Sequence, residues 1–264
     1  MMQVRAKKHL GQHFLKDEEI ALRITEGLTH HGGYRDVLEV GPGTGALTIH
    51  LKDRSDIELT CIELDHESVE HLREKWPELR VVQGDLLHME LSRVSQGPLA
   101  VIGNFPYNIS TQIIFKVLEN REMVPELVGM FQKEVADRLC AGPGSRTYGI
   151  TSVLTQLWYD LELLFIVEPD SFIPPPKVRS AVIRIQRNQR MELPCDERLL
   201  RRLVKAAFGQ RRKTLHNALK SFLPLSAGVP PEYARKRAEQ LSVEDFISLA
   251  QQCIPPEQPG APDC

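Results

Sequence analysis

Three short stretches of this chain carry side chains that can do chemistry together. Asn104-Phe105-Pro106-Tyr107 follows the apolar run Leu99-Ala100-Val101-Ile102 and precedes Asn108-Ile109-Ser110-Thr111, so it reads as a strand end passing through a turn into a helix. Pro106 fixes its own φ and biases Phe105 away from the helical region, which makes a stiff loop able to hold acceptors in place. In such a loop the Asn104 side chain and nearby carbonyls can grip an amino group while Tyr107 offers a flat face to a base. Taken alone, the tetrapeptide equally describes a turn with a half-buried aromatic. Glu63 ends the run Ile57-Glu58-Leu59-Thr60-Cys61-Ile62 and lies 20 residues past Gly43, the position from which a carboxylate accepts bonds from both ribose hydroxyls. Asp85 follows Leu79-Arg80-Val81-Val82 and is placed to accept from an adenine amino group.

These side chains need a common scaffold. Val37-Leu38-Glu39-Val40 reads as a strand that enters Gly41-Pro42-Gly43-Thr44-Gly45 before helical character resumes at Ala46–Leu51. Strand, glycine turn, helix is how an open α/β sheet makes room for a nucleotide-like ligand at its carboxyl edge. The spacing is G-x-G-x-G, not the dinucleotide G-x-G-x-x-G. A dinucleotide requires backbone approach to a pyrophosphate, whereas a ligand without phosphates requires only a close, side-chain-free wall, here Gly41 and Gly43. Glycines, Glu63 and Asp85 at three strand ends describe an adenosine-shaped site with no phosphate grip, which favours S-adenosylmethionine over NAD. The strand leading to Asn104 is expected beside the first strand, so that its loop faces the ligand's reactive end.

Further along, Ile113, Ile114, Val117 and Leu118 mark a helix, Leu127–Phe131 a strand and Gln132–Arg138 another helix. Ala141–Gly149 is a loop whose Arg146 and Tyr148 suit either RNA contact or a plain connection. Leu161–Val167 and Val178–Ile185 form a hairpin-like pair around Phe172-Ile173-Pro174-Pro175-Pro176-Lys177, where Phe172 can stack a base or pack a rigid turn onto the core. Near residue 190 the composition shifts. Leu199, Leu200, Leu203, Val204, Ala207 and Phe208 make one apolar helix face. Gly209 interrupts it, Gln210–Thr214 is expected to reopen a helix, and Tyr233–Leu241 and Val243–Cys253 supply two more. The tail Pro255–Cys264 is proline-rich and reads as disordered.

With 42% hydrophobic and 26% charged residues, the 264-residue chain is globular in type and long enough for a large domain plus a small one. Its net charge of −2 hides two basic patches: Arg5, Lys7, Lys8 and Lys16 in the first 16 residues, and eight Lys/Arg within 198–220, neither stretch containing an acid. Such patches suit a polyanion, or a solvated helix surface. The five cysteines are odd in number and far apart, which fits reduced thiols in a cytosolic protein. His9, His13, His30 and His31 have no visible carboxylate or cysteine partner, so no metal is expected. No run approaches membrane-spanning length, and the expectation is a soluble, cytoplasmic protein.

Taken together, these motifs resemble the KsgA/RsmA family of ribosomal RNA adenine dimethyltransferases. The likeness runs through Lys8-His9-Leu10-Gly11-Gln12-His13-Phe14-Leu15, Glu39–Gly45, Gly84-Asp85, Asn104–Thr111 and Gln132–Ala136. It continues through Pro143-Gly144-Ser145, Phe172–Val178 and Phe208–Leu215. It implies a Rossmann-like class I S-adenosylmethionine-dependent methyltransferase sheet in residues 1–188, with a basic N-terminal arm, followed by a small helical RNA-binding domain in 189–264. The family's cofactor contacts carry over onto His13, Leu15, Gly41, Glu63, Asp85 and Asn104. His13 stands where the family usually has asparagine, and Phe105 where it usually has leucine. A position that contributes its carbonyl tolerates the second change.

The activity implied is dimethylation of the exocyclic amines of two adjacent adenosines near the 3′ end of 16S rRNA, in the immature 30S subunit, by a monomer. Asn104 with the Phe105 or Pro106 carbonyl would orient the amine, and Tyr107 and Phe172 would hold the flipped base. Lys7, Lys8, Lys177, Arg211, Arg212 and Lys213 would contact RNA. Two alternatives are an Erm-type 23S rRNA methyltransferase and an assembly factor with vestigial methyltransferase activity. The long arm, the Phe172 proline loop and Arg211-Arg212-Lys213 favour the small-subunit type over the first. Intact Asn104, Tyr107, Glu63 and Asp85 argue against the second.

Overall fold

The computed structural model describes residues 4, 6–7, 10–222 and 228–253. The chain divides into two compact units, Met1–Cys140 with Trp158–Asn188, and Ala141–Leu157 with Gln189–Cys264.

The first unit contains, in chain order, β1 (Phe14–Leu15), α1 (Glu18–Thr25), β2 (Asp36–Val40), α2 (Thr48–Leu51), β3 (Glu58–Glu63), α3 (His66–Lys75) and β4 (Arg80–Gln83). It continues with β5 (Leu99–Asn104), α4 (Ser110–Glu119), β6 (Glu126–Gln132) and α5 (Lys133–Cys140). After α6 (Ile150–Gln156), which belongs to the second unit, come β7 (Tyr159–Val167), β8 (Phe172–Ile173) and β9 (Ser180–Arg187).

Seven strands form one sheet in the order β4-β3-β2-β5-β6-β9-β7. β2 pairs in parallel with β3 on one side (Val40 opposite Ile62) and with β5 on the other (Glu39 opposite Ile102). The chain therefore travels outward in both directions from β2, and the carboxyl ends of β2, β3 and β5 open a crevice at that switch point. The strand leading to Asn104 does lie beside the first strand of the sheet, as the sequence predicts. β9 runs antiparallel between β6 and β7, and a register shift between Leu163 and Phe165 bends the edge strand. β1 and β8 form a separate antiparallel pair, with Phe14 opposite Ile173 and Leu15 opposite Phe172.

Local chemistry explains these elements. β5 and β6 are covered on both faces, so they read as continuous apolar runs, with Leu99 to Ile102 and Leu127 to Phe131 almost fully buried. Asp17 caps α1 by accepting the Ile20 N–H at 3.1 Å, and Ile24 and Leu28 then pack against Val37, Ala100 and Val128 in the core.

The second unit is helical: α6, α7 (Glu197–Gly209), α8 (Leu215–Ala218), α9 (Pro231–Ala234) and α10 (Val243–Gln251). Asp196 caps α7 through the Leu199 N–H at 2.7 Å, and Ser242 with Asp245 forms a capping box on α10. The aromatic core joins Tyr148 to Phe208 and Phe208 to Phe246. That packing, with the Gly144 N–H donating to the Glu239 carbonyl at 2.6 Å, groups Ala141–Leu157 with this unit rather than with the sheet. Tyr148 is buried and is thus a core residue, not an exposed RNA contact. Two helix expectations change, while α7 ends at Gly209, where an interruption is expected. Gln210–Lys213 is a turn closed by the Lys213 N–H on the Gln210 carbonyl at 2.8 Å, and Tyr233–Leu241 holds only the end of α9 and a 3-10 turn at Ala238–Gln240. Pro255–Cys264 lies outside the described residues.

Candidate active site

A cavity opens at the carboxyl ends of β2, β3 and β5, with Gly41, Gly43, Glu63, Asp85, His13 and Asn104 in its lining. Six of the seven residues expected to contact a cofactor therefore converge. The seventh, Leu15, has its side chain in the core at 4% exposure, because alternation along β1 turns Phe14 toward the cavity and Leu15 away from it.

The glycine turn provides the wall. Gly41, Gly43 and Gly45 all have positive φ, at 66°, 56° and 87°. A Cβ built on Gly41 meets only Pro106 Cδ, at 3.9 Å, and would stand in the cavity itself. One on Gly43 would lie 2.8 Å from the Phe14 ring.

Glu63 is 5% exposed. Its two oxygens accept the Gly43 N–H at 3.0 Å and the Asp65 N–H at 2.9 Å, and burial pushes its carboxyl above the ordinary range. Each oxygen keeps a lone pair for a hydroxyl donor. Asp85 is held by the Leu87 N–H at 2.9 Å and by His88 Nδ1 at 2.9 Å. Ile62, Leu64, Leu86 and Ile109 add flat apolar wall. Sequence reasoning missed these; the signal open to it was an apolar residue, Leu64, directly after Glu63, which the structure leaves 52% exposed.

Among the described lining residues there are two carboxylates and no lysine or arginine. That donor set fits a cofactor with hydroxyls, an amine and a positive charge, and offers nothing to a pyrophosphate. S-adenosylmethionine meets those terms: Glu63 would take the ribose hydroxyls, Asp85 the adenine amine, and Gly41 and Gly43 would form the close wall.

In the Asn104 loop, the Asn104 side-chain N–H donates to the His13 carbonyl at 2.9 Å, which leaves its oxygen as the free acceptor. Pro106 lines the cavity beside it. Phe105 is 1% exposed, packs against Phe131 at 5.0 Å between ring centroids, and donates its N–H to the Met130 carbonyl, so its side chain anchors the loop and only its carbonyl is available for chemistry. Tyr107 is half-buried, and its hydroxyl lies 2.7 Å from Ser180 Oγ.

Other expected site residues lie elsewhere. Phe172 is 2% exposed and belongs to the same core cluster as Leu15, so its ring has no free face for a base in this structure; it takes the packing role instead. Lys7 is engaged by Asp65 at 2.5 Å and by Glu67 at 3.0 Å, which neutralises the charge meant for RNA. Lys8 lies outside the described residues. Lys177, Arg212 and Lys213 are exposed. Arg211 is tied to Glu239 at 2.7 Å and to the Arg146 carbonyl at 2.6 Å, so it fixes the Ala141–Gly149 loop rather than projecting freely. No group of three or more His, Cys, Asp or Glu among the described residues is arranged to hold a metal, and none of the described helices is long and apolar enough to cross a membrane.

Comparison with known proteins agrees with this geometry. The family model "Ribosomal RNA adenine dimethylase" matches residues 3–253. Proteins named ribosomal RNA small subunit methyltransferase A from Cytophaga hutchinsonii and Porphyromonas gingivalis are both 53% identical, covering 94% of this chain and 97% and 98% of their own. Among solved structures, a dimethyladenosine transferase from Plasmodium falciparum matches with a TM-score of 0.74 at 25% identity, covering 90% of this chain and 96% of its own. The 23S rRNA methyltransferase ErmE matches with a TM-score of 0.67 at 27% identity, covering 90% of this chain and 100% of its own. The chain belongs to the ribosomal RNA adenine dimethylase family, whose members are S-adenosylmethionine-dependent methyltransferases.

Proposed function

We propose that this enzyme dimethylates N6 of two adjacent adenosines near the 3′ end of 16S rRNA, acting as a monomer on immature small subunits, with Asn104, Pro106 and Tyr107 at the reacting base. The chemistry starts from a poor nucleophile, because the adenine amine shares its lone pair with the ring. Accepting one N–H on the Asn104 side-chain oxygen and the other on the Phe105 or Pro106 carbonyl draws that nitrogen toward tetrahedral geometry and frees the lone pair. Bound S-adenosylmethionine supplies an electrophilic methyl group on a cationic sulfur. As the N–C bond forms, the S–C bond would break to leave a neutral thioether and the amine's surplus proton would pass to water, so the residues' task is positioning and charge complementarity and no strong general base is required of the chain.

The observation that carries this reading is the bond from the Asn104 amide to the His13 carbonyl. With the N–H end engaged there, the amide oxygen is left to accept, on a residue that lines the cavity, which supports its role at the amine. The 53% identity to proteins named for the small subunit supports 16S rRNA as the substrate. The likeness to ErmE favours a second reading, 23S rRNA, at lower identity.

Unmodified small and large subunits, incubated separately with the purified protein and labelled cofactor, separate the two. Mass spectrometry of the rRNA fragments is expected to find two neighbouring dimethyladenosines in 16S rRNA alone. Label confined to 23S rRNA would establish the second reading.

A further inference from the structure

The His13 imidazole sits where a cofactor contact alone does not account for it. Its Nδ1 lies 2.8 Å from the Pro174 carbonyl, and since a carbonyl only accepts, Nδ1 carries the proton and the ring plane is set. In that orientation the imidazole stacks on Tyr107, with 5.3 Å between centroids and 28° between planes. At the far end of Tyr107, the hydroxyl is tied to Ser180 Oγ, and Ser180 is fully buried at the start of β9. Tyr107 is thus fixed at its tip by Ser180 and on one face by His13. A base can stack only on the remaining face. The backbone of the same residue, His13, receives the Asn104 amide at 2.9 Å.

We infer that His13 is a positioning residue for the target adenine: its imidazole is the outer layer of a three-ring stack, His13–Tyr107–adenine, while its carbonyl sets the acceptor for the amine of that same base. Ring and amine are then registered against each other from a single residue. The β1–β8 pair holds that residue in place, through Phe14 opposite Ile173, and the Lys16 N–H donating to the Ser171 carbonyl at 3.0 Å continues the clasp. The inference rests on the adenine-methylating role proposed above and adds to it the part that aligns the base.

The test uses the full-length protein with two RNAs: a 16S-derived fragment with 2-aminopurine in place of the target adenosine, whose fluorescence reports stacking and which serves for binding only, and unmodified small subunits, which keep the N6 amine, for kcat/KM. Cofactor affinity is measured in parallel by calorimetry. His13→Ala keeps its carbonyl and loses its ring. With cofactor saturating, it is expected to lose roughly three- to tenfold in quench-detected affinity and in kcat/KM for RNA, the size of one aromatic stacking contact, whatever its ring also contributes to cofactor affinity. His13→Phe restores a ring without the bond to Pro174 and is expected to recover most of that loss. Thermal melting of each variant checks that the fold is intact. Parent-like quench and kcat/KM in His13→Ala would overturn the inference. So would loss of cofactor affinity with the quench unchanged, which would make His13 a cofactor contact only. Failure of the parent protein to methylate small subunits is a separate result and would overturn the functional reading underneath.

Discussion

Glu63 accepts the Gly43 N–H at 3.0 Å, so the carboxylate proposed for the ribose also holds the glycine turn that forms the cavity wall. The two functions are coupled through one side chain. Glu63→Ala leaves two buried backbone N–H groups without a partner, at about 1–3 kcal/mol each at most. It is expected to weaken cofactor binding at least tenfold by calorimetry and to lower the melting temperature. Unchanged cofactor affinity would remove Glu63 from the site.

Asn104 separates donor from acceptor. Asn104→Ala removes both and is expected to cost roughly 10²–10³-fold in single-turnover methyl transfer, with little change in cofactor affinity. Asn104→Asp is nearly isosteric but cannot donate, and it faces the His13 carbonyl oxygen with a second oxygen. It is expected to fail almost as badly as the alanine variant. Transfer at the parent rate in the aspartate variant would show that the amide bond to His13 is dispensable.

Much of this site is legible in the sequence because glycine, proline and carboxylate at strand ends are local signals. Gly41 and Gly43 of the G-x-G-x-G turn, Glu63 at a fixed interval and Asp85 at the next strand end all fall on the cavity, while Gly45 packs against Trp76 instead. What stayed hidden depends on partners far away in sequence. Nothing local tells that β8 lies on the arm and buries Phe172, that Lys7 meets Asp65 and Glu67, or that Arg211 meets Glu239. Charge counting reads a basic patch, and only the fold shows which cations are already paired. The turn at Gln210–Lys213 was concealed in the same way, since its polar, helix-compatible residues carry no breaker after Gly209.

Glu39 gives the fold a pH dependence. It is 1% exposed on β2, accepts from Thr48 Oγ1 at 2.7 Å, and burial pushes its carboxyl up from the ordinary 4.5 to about 7. A carboxyl that binds its proton more tightly folded than unfolded costs nothing below pH 4.5, destabilises progressively as pH rises, and exerts its full cost above about 7. Glu39→Gln keeps an acceptor for Thr48 and cannot ionise. Chemical denaturation is expected to show the variant more stable by up to about 3 kcal/mol at pH 8, with the difference vanishing near pH 4. A pH-independent difference would assign it to packing.

The basic turn of the second unit divides into two roles. Arg212 and Lys213 are exposed, whereas Arg211 is bonded to Glu239 and to the Arg146 carbonyl. Arg212→Glu with Lys213→Glu is expected to weaken subunit binding and reduce the slope of log affinity against log salt by about 2. Arg211→Ala is expected to lower the melting temperature. An unaltered salt slope in the double variant would take this turn out of the RNA interface.

Phe105 links the core to the loop proposed to meet the reacting base. Its ring lies over Gly129 on β6 and Gly103 on β5, and a Cβ built on Gly129 would overlap its Cε2. Two glycines therefore leave the slot into which the loop is pinned, both outside the cavity lining and one of them on the neighbouring strand. Gly129→Ala is expected to destabilise by about 1–3 kcal/mol, as overpacking does, and to displace the Phe105 and Pro106 carbonyls. Methyl transfer should then fall while cofactor affinity stays close to the parent value. Adding Phe105→Leu replaces the ring with a smaller branched side chain and should recover both stability and transfer in the double variant. Because the two residues share one slot, their effects must be non-additive. Additive losses in a double-mutant cycle would show that Phe105 does not hold the loop through Gly129.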